Sequence, residues 1–207
     1  MRRPGAAWIA AVLALCLVAT ACGGGGNPLI ITELFALFLA DSPSPGPRIT
    51  MDPGPAAGAM FSIEINASGI TDLWGTGFTV EYDPTVATWD SCESLGSILG
   101  VSGSAPSNPC DDALVDGAKF FAGLVNATEG QLTVSASRDG AGLTGVPVGT
   151  GLLLTLTFTA SGATSSPESF TFKSGTSQEV ETCPQDLTPC SAANAAFDGG
   201  TLTASGG

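Results

Sequence analysis

Apolar residues along this chain recur at every second position in short runs, the pattern of strands that bury one face. The most informative run lies within residues 69–86, where one parity is apolar: Trp74, Phe78, Val80 and Tyr82. Thr79 and Glu81 occupy the other parity. Asp83-Pro84 ends the run, because proline removes a ladder donor and fixes φ for a turn. We therefore predict a strand with Trp74 and Tyr82 in the core, followed by a sharp turn.

Further runs of the same kind follow residue 60 at short intervals. They cover residues 61–65, 86–90, 119–125, 132–136, 152–158 and 170–172, with a last one around Leu202. Residues 119–125 are apolar on both parities, which predicts a strand covered on both sides. No convincing amphipathic helix follows residue 60. The pattern predicts an all-β sandwich of roughly eight or nine strands that occupies residues 58–207.

The segment before this domain consists of an apolar run followed by a proline-rich stretch. Leu29 to Ala40 are nearly all apolar, and as a helix they would span only about 18 Å, less than a bilayer core. They either lie on a lipid surface or pack on the domain, and the sequence leaves both open. Residues 41–55 are rich in proline, so residues 22–57 are predicted to be a tether.

The first 21 residues have the organisation of a secretory signal peptide. Arg2 and Arg3 precede an apolar stretch over residues 6–18, and small residues precede Cys22. The stretch from Ala19 to Cys22 resembles the lipobox of bacterial lipoproteins, which implies a lipid on Cys22. The protein is then exported and lipid-anchored to the bacterial membrane, at the outer membrane or cell surface. The alternative is an ordinary signal peptide.

Composition excludes several functions. The 207 residues contain 19 acidic residues, 6 basic residues and no histidine. Removal of Arg2 and Arg3 with the leader shifts the net charge from −13 by two, to about −15. Such a charge argues against nucleic-acid binding, which needs a basic surface. Without histidine the usual general base at neutral pH is missing, so we expect no enzyme.

Four cysteines remain after the leader and Cys22 are set aside: Cys92, Cys110, Cys183 and Cys190. In an oxidising compartment they predict two disulfides. Three pairings are possible, and we favour Cys92 with Cys110 and Cys183 with Cys190, since each closes a loop between strands. A metal site is the weaker alternative, because no histidine and no close C-x-x-C spacing accompany them. An acidic cluster at Asp111, Asp112 and Asp116 lacks the spacing of a calcium loop.

Several motifs in order resemble a known family. Ile63 to Ile70 reads I-x-I-x-x-x-x-I, and Gly77 to Val86 reads GFTVEYDPTV. Later come GQLTVSASR at residues 130–138, GLLLTLTF at residues 151–158 and DGGTLT at residues 198–203. Together they are similar to the cohesin domain over about residues 58–205. The disulfide-bearing insertion between Cys92 and Cys110 departs from that family.

The resemblance implies a nine-stranded jelly roll that binds dockerin modules of polysaccharide-degrading complexes. No cofactor of its own is implied, and calcium is expected in the dockerin partner. Carried over by position, the binding face comprises residues 86–90, 119–125, 132–138 and the loop 139–145. The candidate contact residues are Thr88, Asp90, Arg138, Asp139 and Gly140. The alternative is a carbohydrate-binding or adhesive domain that uses Trp89 to stack on a sugar.

Overall fold

The computed structural model describes residues 33–101, 109–140, 143–147, 151–175, 178–184 and 189–206. The leader and Cys22 lie outside these ranges. Within them the chain forms fourteen strands and no helix. The strands are β1 Leu34–Ala40, β2 Arg48–Ala57, β3 Met60–Ser68, β4 Leu73–Glu81, β5 Ala87–Glu93, β6 Asp111–Val115, β7 Ala118–Asn126, β8 Gln131–Arg138, β9 Gly151–Ala160, β10 Glu168–Phe172, β11 Glu179–Thr182, β12 Ser191–Ala192, β13 Ala196–Asp198 and β14 Gly200–Gly206.

The strands form two sheets, which confirms the all-β fold class. Sheet I has nine strands in the order β1-β14-β10-β4-β8-β7-β6, with β11 paired to β4 and to β12. Sheet II has five strands in the order β13-β2-β3-β9-β5. Most neighbours are antiparallel, and β13 and β2 are parallel. Apolar side chains from both sheets meet in one core between them.

The predicted tether over residues 22–57 is wrong from Leu34 onward. β1 pairs with β14 along its whole length, and β2 pairs with β3. Phe38 of β1 and both Ile49 and Met51 of β2 are buried in the core. The apolar segment Leu29–Ala40 therefore supplies a strand rather than a helix in its described part. The continuous apolar run of β1 and the alternation of Ile49 and Met51 in β2 outweigh the prolines between the two strands.

Five aromatic rings form the centre of the core. Phe170 of β10 contacts the rings of Phe38, Phe61, Tyr82 and Phe158, with centroids 5.3–5.8 Å apart. Three of these contacts are edge-to-face, an arrangement that the aromatic quadrupole favours. Because the rings come from both sheets, this cluster holds the two layers together.

Two details of the predicted burial are wrong. Strand β7 is covered on one side only, and Phe121, Leu124 and Val125 are at least 40% exposed. Trp74 shares the parity of Phe78 but is only partly buried, because it lies near the start of β4 at the rim of the core. The predicted turn is present: the Asp83 carbonyl accepts from the amide of Val86 at 3.1 Å.

Tyr82 gives a pH-dependent signal from the core. Burial raises the pKa of its phenol, an effect that the nearby Asp90 carboxylate reinforces and a hydrogen bond with the Trp89 backbone partly offsets. Tyr82 is the only tyrosine in the chain, so an ultraviolet titration observes it alone. We expect a folded-state midpoint above the ordinary pKa of 10.0, and a midpoint near that value in urea. Coincident midpoints would contradict the buried position.

The raised pKa of Tyr82 also makes the stability of the fold depend on pH. Above pH 10 the unfolded chain loses the phenolic proton first, so it binds fewer protons than the native state. The free energy of unfolding should therefore fall as the pH rises above about 10. Urea titrations on either side of that pH, with Tyr82→Phe as the control, measure this slope.

Candidate functional site

The outer face of sheet I is flat around β4 and β8. Leu132, Val134 and Ala136 of β8 are buried, so the alternate residues point outwards. The cross-strand register places small residues at the centre of this face: Gly75, Gly77 and Thr79 of β4 and Thr133, Ser135 and Ser137 of β8. The glycines have no side chain and the serines and threonines have short ones, so none of these residues projects far from the surface of the sheet. We call this set the small-residue face.

Larger side chains flank the small-residue face on both sides. On β11, Glu179 lies opposite Gly77 and Glu181 opposite Gly75. On β7, Phe121 lies opposite Ser135 and Lys119 opposite Ser137. A groove of about 210 Å³ runs between β4, β8 and the two glutamates. The site is therefore a shallow trough with an acidic margin on β11 and a margin on β7 that carries the ring of Phe121 and the ammonium group of Lys119.

Two ion pairs are present at the edges of this face. Lys119 Nζ lies 2.9 Å from Asp139 Oδ2, and Lys173 Nζ lies 3.6 Å from Glu81 Oε1. The Asp139 hydrogen bond and charge, with a contribution from Asp112, raise the pKa of Lys119. Both pairs are exposed and contribute little to stability. Glu179 and Glu181 are not members of either pair, so the acidic margin keeps its charge.

The structure separates the candidate contact residues into two groups. Thr88 and Asp90 are exposed on β5, which belongs to sheet II and pairs with β9. Asp90 Oδ2 accepts a hydrogen bond from Thr159 Oγ1 at 2.6 Å. The prediction of one face built from residues 86–90, 119–125 and 132–138 is therefore wrong, because β5 lies in the other sheet from β7 and β8.

Arg138 is also placed differently from its prediction as an outward residue. It shares the inward parity of Leu132 and Ala136, is partly buried, and donates from Nη1 to the Thr144 carbonyl at 2.6 Å. Its Nε is buried and has no hydrogen-bond partner among the described residues. Asp139 and Gly140 are exposed at the end of β8, next to Lys119. Of the five predicted contact residues, Asp139 borders the small-residue face through its ion pair with Lys119.

Trp89 does not form an open sugar platform. Its ring is partly buried and packs against the hydrophobic core, and its Nε1 donates to the Ser91 carbonyl at 3.1 Å. The residues that the sequence reasoning missed are the small ones, Gly75, Gly77 and Ser135. The alternation of β8 against Leu132 and Val134 could have placed Ser135 outwards, but small residues carry no chemical motif.

The two disulfides have the pairing that the sequence favoured: Cys92–Cys110 and Cys183–Cys190. The first joins β5 of sheet II to the residue before β6 of sheet I, and the Cys110 amide also donates to the Cys92 carbonyl at 3.3 Å. It therefore links the two layers beside the edge strand of sheet I. Both bonds fit a protein exported to an oxidising compartment.

The link between the layers predicts a measurable loss of stability. Replacing Cys92 and Cys110 together by serine opens a loop of 18 residues. Loop-closure entropy then lowers the free energy of unfolding by about 3 kcal/mol. The pair Cys183→Ser/Cys190→Ser is the control, because its 7-residue loop gives about 2.4 kcal/mol by the same relation. Urea unfolding measures both. An unchanged free energy of unfolding in the Cys92→Ser/Cys110→Ser variant would contradict a stabilising role for the link between layers.

Metal ligation has little support in the described residues. One group of possible ligands contains Glu181, Cys183 and Cys190, with ligand atoms within 4.8 Å of one another, but both sulfurs are consumed in the disulfide. In the acidic cluster, the Asp111 carboxylate accepts from the Ala113 amide at 3.1 Å, within the register irregularity of β6 between Asp111 and Leu114. No described helix is both long and apolar enough to cross a membrane.

Comparison with known proteins decides the family. The family model described as the cohesin domain matches residues 49–185, which is more than half of the chain. The chain belongs to the cohesin family. The match begins in β2, so it agrees with the observed start of sheet II rather than with the predicted tether.

Solved cohesins share the fold. The second type II cohesin module of the adaptor scaffoldin ScaA from Acetivibrio cellulolyticus is 15% identical, with a TM-score of 0.54, and the match covers 77% of this chain and 90% of that one. The sixth cohesin of scaffoldin B from the same organism, solved in complex with a Cel5 dockerin mutant, is 22% identical. Its TM-score is 0.52, and the match covers 75% of this chain and 96% of that one. Among proteins with curated descriptions, none matches this cohesin.

Proposed function

We propose that this cohesin is a non-catalytic interaction module that binds a dockerin-bearing partner at a bacterial surface. The partner would carry calcium, and its enzymatic activity would link the pair to polysaccharide degradation. The family supports this function, and so does the solved relative in complex with a dockerin. The observation that carries the proposal is the small-residue face.

The small-residue face suits the docking of a helix. Glycine, serine and threonine at the centre let a partner backbone approach closely, while Phe121 offers an apolar contact of 40% exposure at one side. The acidic margin of Glu179 and Glu181 favours basic residues on the partner, which would accelerate association.

The anchor belongs to the same proposal. We propose that Cys22 carries lipid and holds the cohesin at the membrane, while the small-residue face of sheet I binds the partner. Cys22 itself lies outside the described residues. Mass spectrometry of the protein from a bacterial membrane fraction tests the anchor, since a diacylglyceryl group on Cys22 adds a defined mass.

Calorimetry against a panel of purified dockerin modules tests partner binding. We expect at least one dockerin to bind with a dissociation constant of about 1 μM or tighter, and binding to disappear when calcium is removed by a chelator. The chain alone should not be retained on insoluble polysaccharide, because Trp89 is partly buried. Failure of every dockerin, together with retention on a polysaccharide, would contradict the proposal and favour the carbohydrate-binding alternative.

A further inference from the structure

Strand β1 carries a stripe of exposed apolar side chains at the edge of sheet I. Phe35, Leu37 and Leu39 are 49%, 56% and 52% exposed. They alternate with Ala36 and Phe38, which point into the core. On the neighbouring strand β14 the residues opposite them are the polar Ser205, Thr203 and Thr201. We call Phe35, Leu37 and Leu39 the β1 stripe.

The β1 stripe contains none of the charged side chains that commonly protect an edge strand. Edge strands of soluble proteins commonly carry charged residues along their length. Here Glu33 and Asp41 stand only at the two ends of β1. The uncharged turn between β2 and β3 lies beside β1, since the Ala36 amide donates to the Gly58 carbonyl at 2.9 Å. Met60, which follows this turn at the start of β3, is a further apolar residue with 51% exposure.

The position of the β1 stripe in the chain indicates what covers it. Twelve residue steps separate Cys22 from Leu34. At about 3.3–3.6 Å per residue, the start of β1 lies no more than about 43 Å from a lipid attached at Cys22. The β1 stripe thus belongs to the first described strand that follows Cys22 in the sequence.

We propose that the β1 stripe rests in the interface of the lipid bilayer, an inference that depends on the proposed anchor at Cys22. Apolar side chains gain free energy by leaving water for this interface. The flanking charges are acidic, so attraction to anionic headgroups plays no part. The contact should therefore be no stronger on anionic vesicles than on neutral ones.

This orientation leaves the partner site accessible. Strands of a sheet rotate by about 20–25° from one to the next, and β8 is four strands from β1 in sheet I. The outward direction at β8 therefore differs from that at β1 by roughly 80–100°. With the β1 stripe on the lipid, the small-residue face stands roughly upright from the membrane and is open to a partner.

Quenching by brominated lipids tests the contact on the mature lipidated chain in phosphatidylcholine vesicles. Leu37→Trp places a reporter in the β1 stripe, and Leu39→Trp is a second variant should the first fold poorly. Val125→Trp is the matched control, because Val125 is 67% exposed on β7, five strands away in the same sheet. The unsubstituted protein supplies the background of Trp74 and Trp89. We expect the added fluorescence at position 37 to fall by about half or more, since interfacial segments insert ~5–10 Å. The added fluorescence at position 125 should be unchanged.

The outcomes separate the two proposals. Absence of lipid on Cys22 by mass spectrometry overturns the anchor and with it this inference. Lipid on Cys22 without quenching at positions 37 and 39 overturns the membrane contact and leaves the anchor standing. Quenching that requires anionic lipid also overturns it. Self-association in detergent that is lost in the variant Phe35→Thr/Leu37→Thr/Leu39→Thr would instead assign the β1 stripe to a second copy of the chain.

Discussion

Replacing Ser135 by arginine is expected to weaken dockerin binding by about 30-fold or more, because losses at the centre of an interface cost about 2 kcal/mol or more. Ser135 is exposed and lies between Gly77 and Phe121 across three neighbouring strands. A long charged side chain there fills the trough and keeps a partner backbone away. Calorimetry with the dockerin identified for the parent protein measures the change.

The control for this substitution is Thr88→Arg. Thr88 is equally exposed but belongs to β5 of sheet II. We expect unchanged binding for Thr88→Arg, and unfolding free energies within about 0.5 kcal/mol of the parent for both variants, since neither site is buried. If Thr88→Arg abolished binding and Ser135→Arg did not, the partner site would be on sheet II.

Replacing Phe170 by alanine is expected to lower the free energy of unfolding by about 3–5 kcal/mol. Phe170 is 1% exposed and contacts four other rings from both sheets. Removal of its ring leaves a cavity that the surrounding strands, fixed by their ladders, cannot close. Urea unfolding followed by circular dichroism measures the loss.

Thr171→Ala is the matched control for Phe170. Thr171 is the next residue of β10 and is exposed, so its loss should cost less than about 1 kcal/mol. Equal losses at the two positions would mean that β10 itself, rather than the aromatic cluster, determines the effect. A loss at Phe170 below about 1 kcal/mol would contradict its central position in the core.

Alternation alone predicts the all-β class because each strand buries one face, and that information lies within a few neighbouring residues. β3, β8 and β9 follow this rule closely. The start of the domain could not be predicted in the same way. β1 is an edge strand with apolar residues on both parities, and β2 contains two prolines within a run that otherwise alternates. Their pairing depends on β14 and β3, which lie elsewhere in the sequence.

The candidate site is the part of the molecule that sequence reasoning described least well. Parity indicates which residues of a strand point outwards, but it does not indicate to which sheet the strand belongs. The sequence therefore predicts that Thr88 and Asp139 belong to one binding face, although β5 and β8 lie in different layers. Charged residues are recognisable in a sequence as candidates for polar recognition. The glycines and serines at the centre of the face can be placed together only from the register between β4 and β8.

The pairing of β1 with β14 places Leu34 opposite Gly206. The chain therefore enters and leaves the sandwich at the same corner, on the opposite edge of sheet I from β6 and β7. Domains whose ends lie this close tolerate circular permutation and insertion into other proteins. A short peptide joining residue 206 to residue 34 would allow new ends to be opened elsewhere, and the domain could be placed within a loop of another protein with its small-residue face unobstructed.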